Sequence, residues 1–150
     1  MSRMLSLVVF IGLVAAVAFA AGMYMPGAWY AALEKPSWTP PNWLFGPVWA
    51  VLYIMIAIAG WLVWQAEGAG RARWLWPVQL ALNGLWSPVM FGTHQIGWAL
   101  VVIIAMWLAI AGFVWASWRP QRIAALLFAP YLVWVSYATA LNVALWRMNG

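Results

Sequence analysis

From Met4 to Met25 the chain passes no charged side chain, and the same holds over 43–64, 74–92, 96–118 and 123–146. Every charged residue falls outside these runs. A helix needs about 20 predominantly apolar residues to cross the hydrocarbon core, so each run is long enough or nearly so. Composition agrees: 68% of residues are hydrophobic and 6% charged, against roughly 45–50% and about 25% in soluble domains. The 150 residues suffice for five spans with short loops, leaving no room for an extramembrane domain. Amides exposed to lipid must be paired within their own segment, and the alternation of a barrel strand is absent, so the spans are expected to be helices. The expected fold is a single all-α integral membrane domain over 1–150. It is a five-transmembrane-helix bundle with helices over about 4–25, 43–64, 74–92, 96–118 and 122–147. A proline- and tryptophan-rich lid loop over 26–42 joins the first two. Ala18-Phe19-Ala20 has the small-x-small form of a signal-peptide cleavage site, but the first run is long enough to span and is read as a retained helix.

The net charge of +5 comes from seven scattered basic residues. Without clustering they make no nucleic-acid stripe, so they are read as topology signals and lipid-headgroup contacts. Arg3, Arg71, Arg73, Arg119 and Arg122 fall at one end of the bundle, Lys35 and Arg147 at the other. The excess places the N-terminus on the cytoplasmic side of an inner membrane and the proline-rich loop outside. Cysteine is absent, which excludes disulfides, thiol catalysis and cysteine-ligated metal.

Fifteen tryptophans exceed what two interfacial belts require. Trp61, Trp64, Trp74, Trp76, Trp115 and Trp118 are expected at the cytoplasmic interface, Trp98 and Trp146 at the other. Trp49, Trp86, Trp107 and Trp134 lie within spans and ask for another account. On the third helix Gln79, Asn83, Trp86, Ser87 and Met90 recur every three or four residues; on the fifth Tyr131, Trp134, Ala138 and Asn142 do so. Buried amides should face the interior, either lining a cavity with Trp49 and Tyr53 as a third wall or tying helices together. Aromatic and small side chains with a few polar anchors suit a flat, apolar ligand.

Acid–base machinery is missing. Glu34 and Glu67 belong to loops on opposite faces, and Ser87 and Ser136 have no histidine base nearby. Between their end residues the spans hold no carboxylate, Lys, Arg or His, which argues against a proton-coupled pump. His94, in the turn FGTHQ, is expected to be solvated and outside the cavity.

The stretch WYAALEKPSWTPPNWLFGPVWAVLY at 29–53, with QLALNGLWSPVMFG at 79–92 and FAPYLVWVSYATALN at 128–142, resembles the tryptophan-rich sensory protein and mitochondrial translocator protein family. That family is also called the peripheral benzodiazepine receptor family, and the likeness is to a bacterial member. The resemblance implies a five-helix bundle, often a homodimer, whose cavity takes protoporphyrin IX, haem and synthetic isoquinoline or benzodiazepine ligands. It places Tyr30, Trp38 and Pro40 in the lid and Trp49, Tyr53, Asn83, Trp86, Trp134 and Ala138 around the pocket. It implies no obligatory cofactor and no catalytic residue. Val143 stands where sterol-binding relatives carry a Tyr, which argues against sterol handling; that motif is weak in any case. Three function classes follow: a sensory receptor or carrier for porphyrin-type ligands, a light-dependent porphyrin-degrading enzyme, and a structural, partner-binding membrane protein.

Overall fold

The structure is a computed structural model that describes residues 2–150. Helix α1 runs Arg3–Gly22, with the Ser2 hydroxyl accepting from the Leu5 amide at 3.1 Å as its N-cap. A short α2, Ala28–Ala32, lies within the connection to α3, Asn42–Gln65. Then come α4, Gly70–Ser87, α5, Ile96–Ser117, and α6, Arg122–Asn149. No strand is present among the described residues.

The five long helices pack as a closed ring: α1 on α3, α3 on α6, α6 on α5, α5 on α4, and α4 back on α1. Ile56, Met106, Phe113, Phe128, Tyr131 and Val135 fill its centre. Phe113 and Phe128 stack at 4.0 Å. Four helices, α1, α3, α5 and α6, are long and apolar enough to cross a membrane. Their outer faces expose Val8, Ile54, Leu108 and Val133, as helices bathed in hydrocarbon do.

Helix α4 is different. It starts Gly-Arg-Ala-Arg and carries Gln79 and Asn83, so its composition falls short of the other four. The run expected as one helix over 74–92 is also divided. Pro88 has no N–H to give the Gly84 carbonyl, and the chain widens into a single π-turn over Pro88–Gly92, with the Thr93 amide reaching the Pro88 carbonyl at 2.9 Å.

At one end of the bundle the Arg3 Nε donates to Gln65 Oε1 at 2.6 Å, while Arg71 and Arg122 lie over the rings of Trp115 and Trp118. Trp64, Trp74, Trp115 and Trp118 are exposed, as an interfacial belt requires. Trp76 is not part of that belt. It is buried, its indole N–H donates to the Ile56 carbonyl at 2.8 Å, and the ring lies against Gly60, where a Cβ would come within 2.4 Å of it. The missing side chain at residue 60 is what admits an indole into the α3–α4 seam.

Candidate functional site

Buried amides in this bundle are spent on neighbouring helices. Asn83 Oδ1 accepts from the Tyr53 hydroxyl at 3.1 Å, and its Nδ2 donates to the Tyr131 hydroxyl at 2.8 Å. Tyr131 in turn donates to Gln79 Oε1 at 2.9 Å, and Gln79 Nε2 donates to the Trp76 carbonyl at 2.7 Å. This chain joins α3, α4 and α6. Asn142 Oδ1 accepts from the Trp86 indole at 3.0 Å, while its Nδ2 donates to the Ile96 carbonyl at 3.1 Å, joining α6 to α4 and α5. Of the two roles open to the asparagines, tying helices is the one the geometry displays. Trp107 has a similar account, its indole donating to Ser136 Oγ at 2.8 Å across α5 and α6.

The aromatic side chains form a layer that shares Tyr53 and Tyr131 with these ties. Trp49 lies 5.4 Å from Tyr53 and 6.2 Å from Tyr131, ring centre to ring centre. Trp134 meets Phe45 edge-on at 5.9 Å and stacks on Tyr137 at 5.9 Å. Trp49, Tyr53, Trp86, Trp134 and Ala138 are all half-buried against one core. No protein acceptor takes the indole N–H of Trp49 or Trp134 among the described residues, whereas those of Trp61, Trp76, Trp86 and Trp107 are all engaged. No buried side-chain nitrogen or oxygen is left unpaired among the described residues, so these two donors are not fully enclosed.

The loop over 26–42 is held at three places. Trp29 stacks on the His94 imidazole at 4.2 Å with planes 8° apart. The Asn149 amide is bonded to both backbone groups of Glu34, each at 2.9 Å. The Tyr137 hydroxyl donates to the Trp38 carbonyl, and the two rings meet edge-on at 5.6 Å. Tyr30 is buried edge-on against Phe91, with the Lys35 ammonium 4.8 Å from its ring centre. Burial, with Tyr137 adding to it, pushes its phenol above the ordinary tyrosine range.

The expected site residues therefore divide. Trp38, Pro40, Trp134 and Ala138 belong to the α3–α6 side, and Trp49, Tyr53 and Asn83 sit at the centre. Tyr30 packs with Met90, Ile96 and Leu141 on the α5 side, and Trp86 touches both packing clusters. Phe45, four residues before Trp49, and Tyr137, three after Trp134, join the layer at helical spacing the sequence already carries. Asn149, a lone amide beside the chain end, carries no such signal. No group of three His, Cys, Asp or Glu suited to a metal ion occurs among the described residues.

A family model described as the TspO/MBR family matches residues 6–147. The translocator protein of Homo sapiens is 42% identical over 126 residues, covering 81% of this chain and 75% of that protein. The tryptophan-rich sensory protein of Cereibacter sphaeroides is 40% identical over 140 residues, covering 93% and 89%. Protein CrtK of Rhodobacter capsulatus is 40% identical over 131 residues, covering 85% and 82%.

Proposed function

Because the chain belongs to the TspO/MBR family, we propose that this multi-pass membrane protein is a receptor or carrier for porphyrins, protoporphyrin IX and haem. The same pocket takes isoquinoline- and benzodiazepine-type ligands. The observation that carries the reading is the pair of half-buried indoles, Trp49 and Trp134, whose N–H groups are unspent, beside the small Ala138. Flat aromatic walls bind a planar macrocycle by stacking, and the two donors are free for its polar edge. Ala138 matters because a larger side chain one turn from Trp134 would fill that space. The reading includes α4 as a fifth span, the loop over 26–42 as a lid, a cytoplasmic N-terminus and a homodimer. The relatives' printed names, sensory protein and translocator protein, support a role in sensing or moving the ligand.

Protoporphyrin IX titrated into detergent-purified protein, read by tryptophan emission, tests this. Saturable quenching is expected, with Trp134→Phe and Ala138→Leu each weakening binding by about tenfold or more, equivalent to about 1.4 kcal/mol. Quenching that ignores both substitutions would be partition into detergent, and the reading would fall.

A further inference from the structure

The loop over 26–42 is fastened at three places, and the outer face of the ring is grooved where α3 meets α6, over buried Leu52. A groove of about 760 Å³ lies between α3 and α6. Leu44, Pro47, Val48 and Val51 form one wall, Pro130 and Val133 the other, and the groove reaches Trp134 and Tyr137, with Pro40 of the loop at one end. No charged residue lines it. Its rim is continuous with the hydrocarbon-facing surface, since Val51 and Val133 are 53% and 70% exposed on two helices apolar enough to span.

We infer that this groove is a lateral doorway through which a flat, apolar, membrane-dissolved molecule passes between the bilayer and the aromatic layer. The inference rests on the proposed porphyrin-type ligand. Three observations converge on it. Trp134 is shared: it lines the groove and stands in the ring layer through Phe45 and Tyr137, so a molecule in the groove already touches the pocket. The volume falls within the range of small-molecule sites, about 300–1,000 Å³. Each wall also carries a proline inside its helix, Pro47 in α3 and Pro130 in α6. Neither can donate to the carbonyl four residues earlier, that of Trp43 or Leu126, and helices bend most readily at such points. Displacing the loop over 26–42, by contrast, means releasing the Trp29–His94 stack, the Asn149–Glu34 bonds and the Tyr137–Trp38 bond.

Because the chain has no cysteine, the doorway can be plugged reversibly. Val51→Cys, modified with benzyl methanethiosulfonate in lipid nanodiscs, places a removable ring in the groove; Leu108→Cys on α5, exposed to lipid and away from the groove, is the control. Association and dissociation of protoporphyrin IX are followed by tryptophan emission. Plugging the groove should slow both rates by about tenfold or more with little change in the affinity reached at long times. Reductant should restore the rates, and the modified control should match the unmodified protein. Unchanged rates with saturable binding intact would overturn the doorway and leave the ligand reading standing. Unchanged rates accompanied by loss of co-purifying phospholipid, read by native mass spectrometry, would make the groove a lipid seat and overturn the doorway as well. Absence of saturable binding to the unmodified protein would overturn the ligand reading and the doorway with it.

Discussion

The side-chain amide of Asn149 pairs with the backbone of Glu34 as a second peptide group would. Its Oδ1 accepts from the Glu34 amide and its Nδ2 donates to the Glu34 carbonyl, each at 2.9 Å, while Nδ2 also donates to the Leu145 carbonyl at 2.9 Å. The last bond is local to α6 and orients the amide; the other two fasten the loop to the helix end. Each exposed hydrogen bond contributes about 0.5–1.5 kcal/mol. Asn149→Ala, which loses two such bonds to Glu34, should therefore raise the open population of the loop about 5- to 150-fold, the factor that about 1–3 kcal/mol represents. Faster amide exchange over 28–38 with unchanged exchange in α5 is the expected signature. Equal protection in both proteins would mean the other two fastenings suffice.

His94 is the one non-glycine residue with positive φ among the described residues, at 59°, and its ring lies flat on Trp29. Left-handed backbone is tolerated by Asn and His far better than by β-branched residues. His94→Asn should keep the turn and lose only the stack, giving a faster-exchanging loop with a melting temperature within a few degrees of the parent. His94→Val should lose both, and its melting temperature should fall further. If the two variants melt together, the backbone conformation at residue 94 costs nothing measurable.

Much of this is legible in the sequence. Charge-free runs placed the helices, and three-to-four spacing put Gln79, Asn83, Tyr131 and Asn142 in the interior, where all four are buried. Periodicity shows which face is inward but not what that face touches, so it does not specify the asparagines' partners, Tyr53, Tyr131, Trp86 and the Ile96 carbonyl. Trp76 was misplaced because a tryptophan near a span end has the same local sequence whether it meets headgroups or the space left by a glycine on another helix. Asn149 and the Trp29–His94 stack were invisible for a related reason. Each is a contact between segments far apart in the chain, made by single residues with no pattern around them.

Gly60 is the tightest of these non-local fits. An added Cβ would sit 2.4 Å from the Trp76 ring, and that indole cannot swing away without giving up its bond to the Ile56 carbonyl. Gly60→Ala should destabilise the protein by about 1–3 kcal/mol, the usual cost of overpacking. Gly12→Ala, where nothing lies within 4 Å of the new methyl, should be neutral or stabilising through helix propensity, worth up to about 1 kcal/mol. Thermal unfolding in one detergent compares them directly, and a Gly60→Ala protein as stable as Gly12→Ala would show that the α3–α4 seam relaxes freely.

The Tyr53–Asn83–Tyr131–Gln79 chain offers a graded test of whether the central amide binds helices together or awaits a ligand. Asn83→Leu removes both an acceptor and a donor, leaving the Tyr53 hydroxyl without its acceptor and the Tyr131 hydroxyl without its donor, with only Gln79 Oε1 and Met106 Sδ still accepting from it. Stranding a buried polar group costs about 1–3 kcal/mol, so a melting temperature several degrees lower is expected. Tyr53→Phe removes one donor and leaves the Asn83–Tyr131 bond in place, so its loss should be smaller, near 1 kcal/mol. If Asn83 acts only as a tie, residual protoporphyrin binding measured well below the melting temperature should change less in Asn83→Leu than in Trp134→Phe. Stability unchanged in Asn83→Leu, together with binding lost, would reverse the assignment and make this amide a ligand anchor.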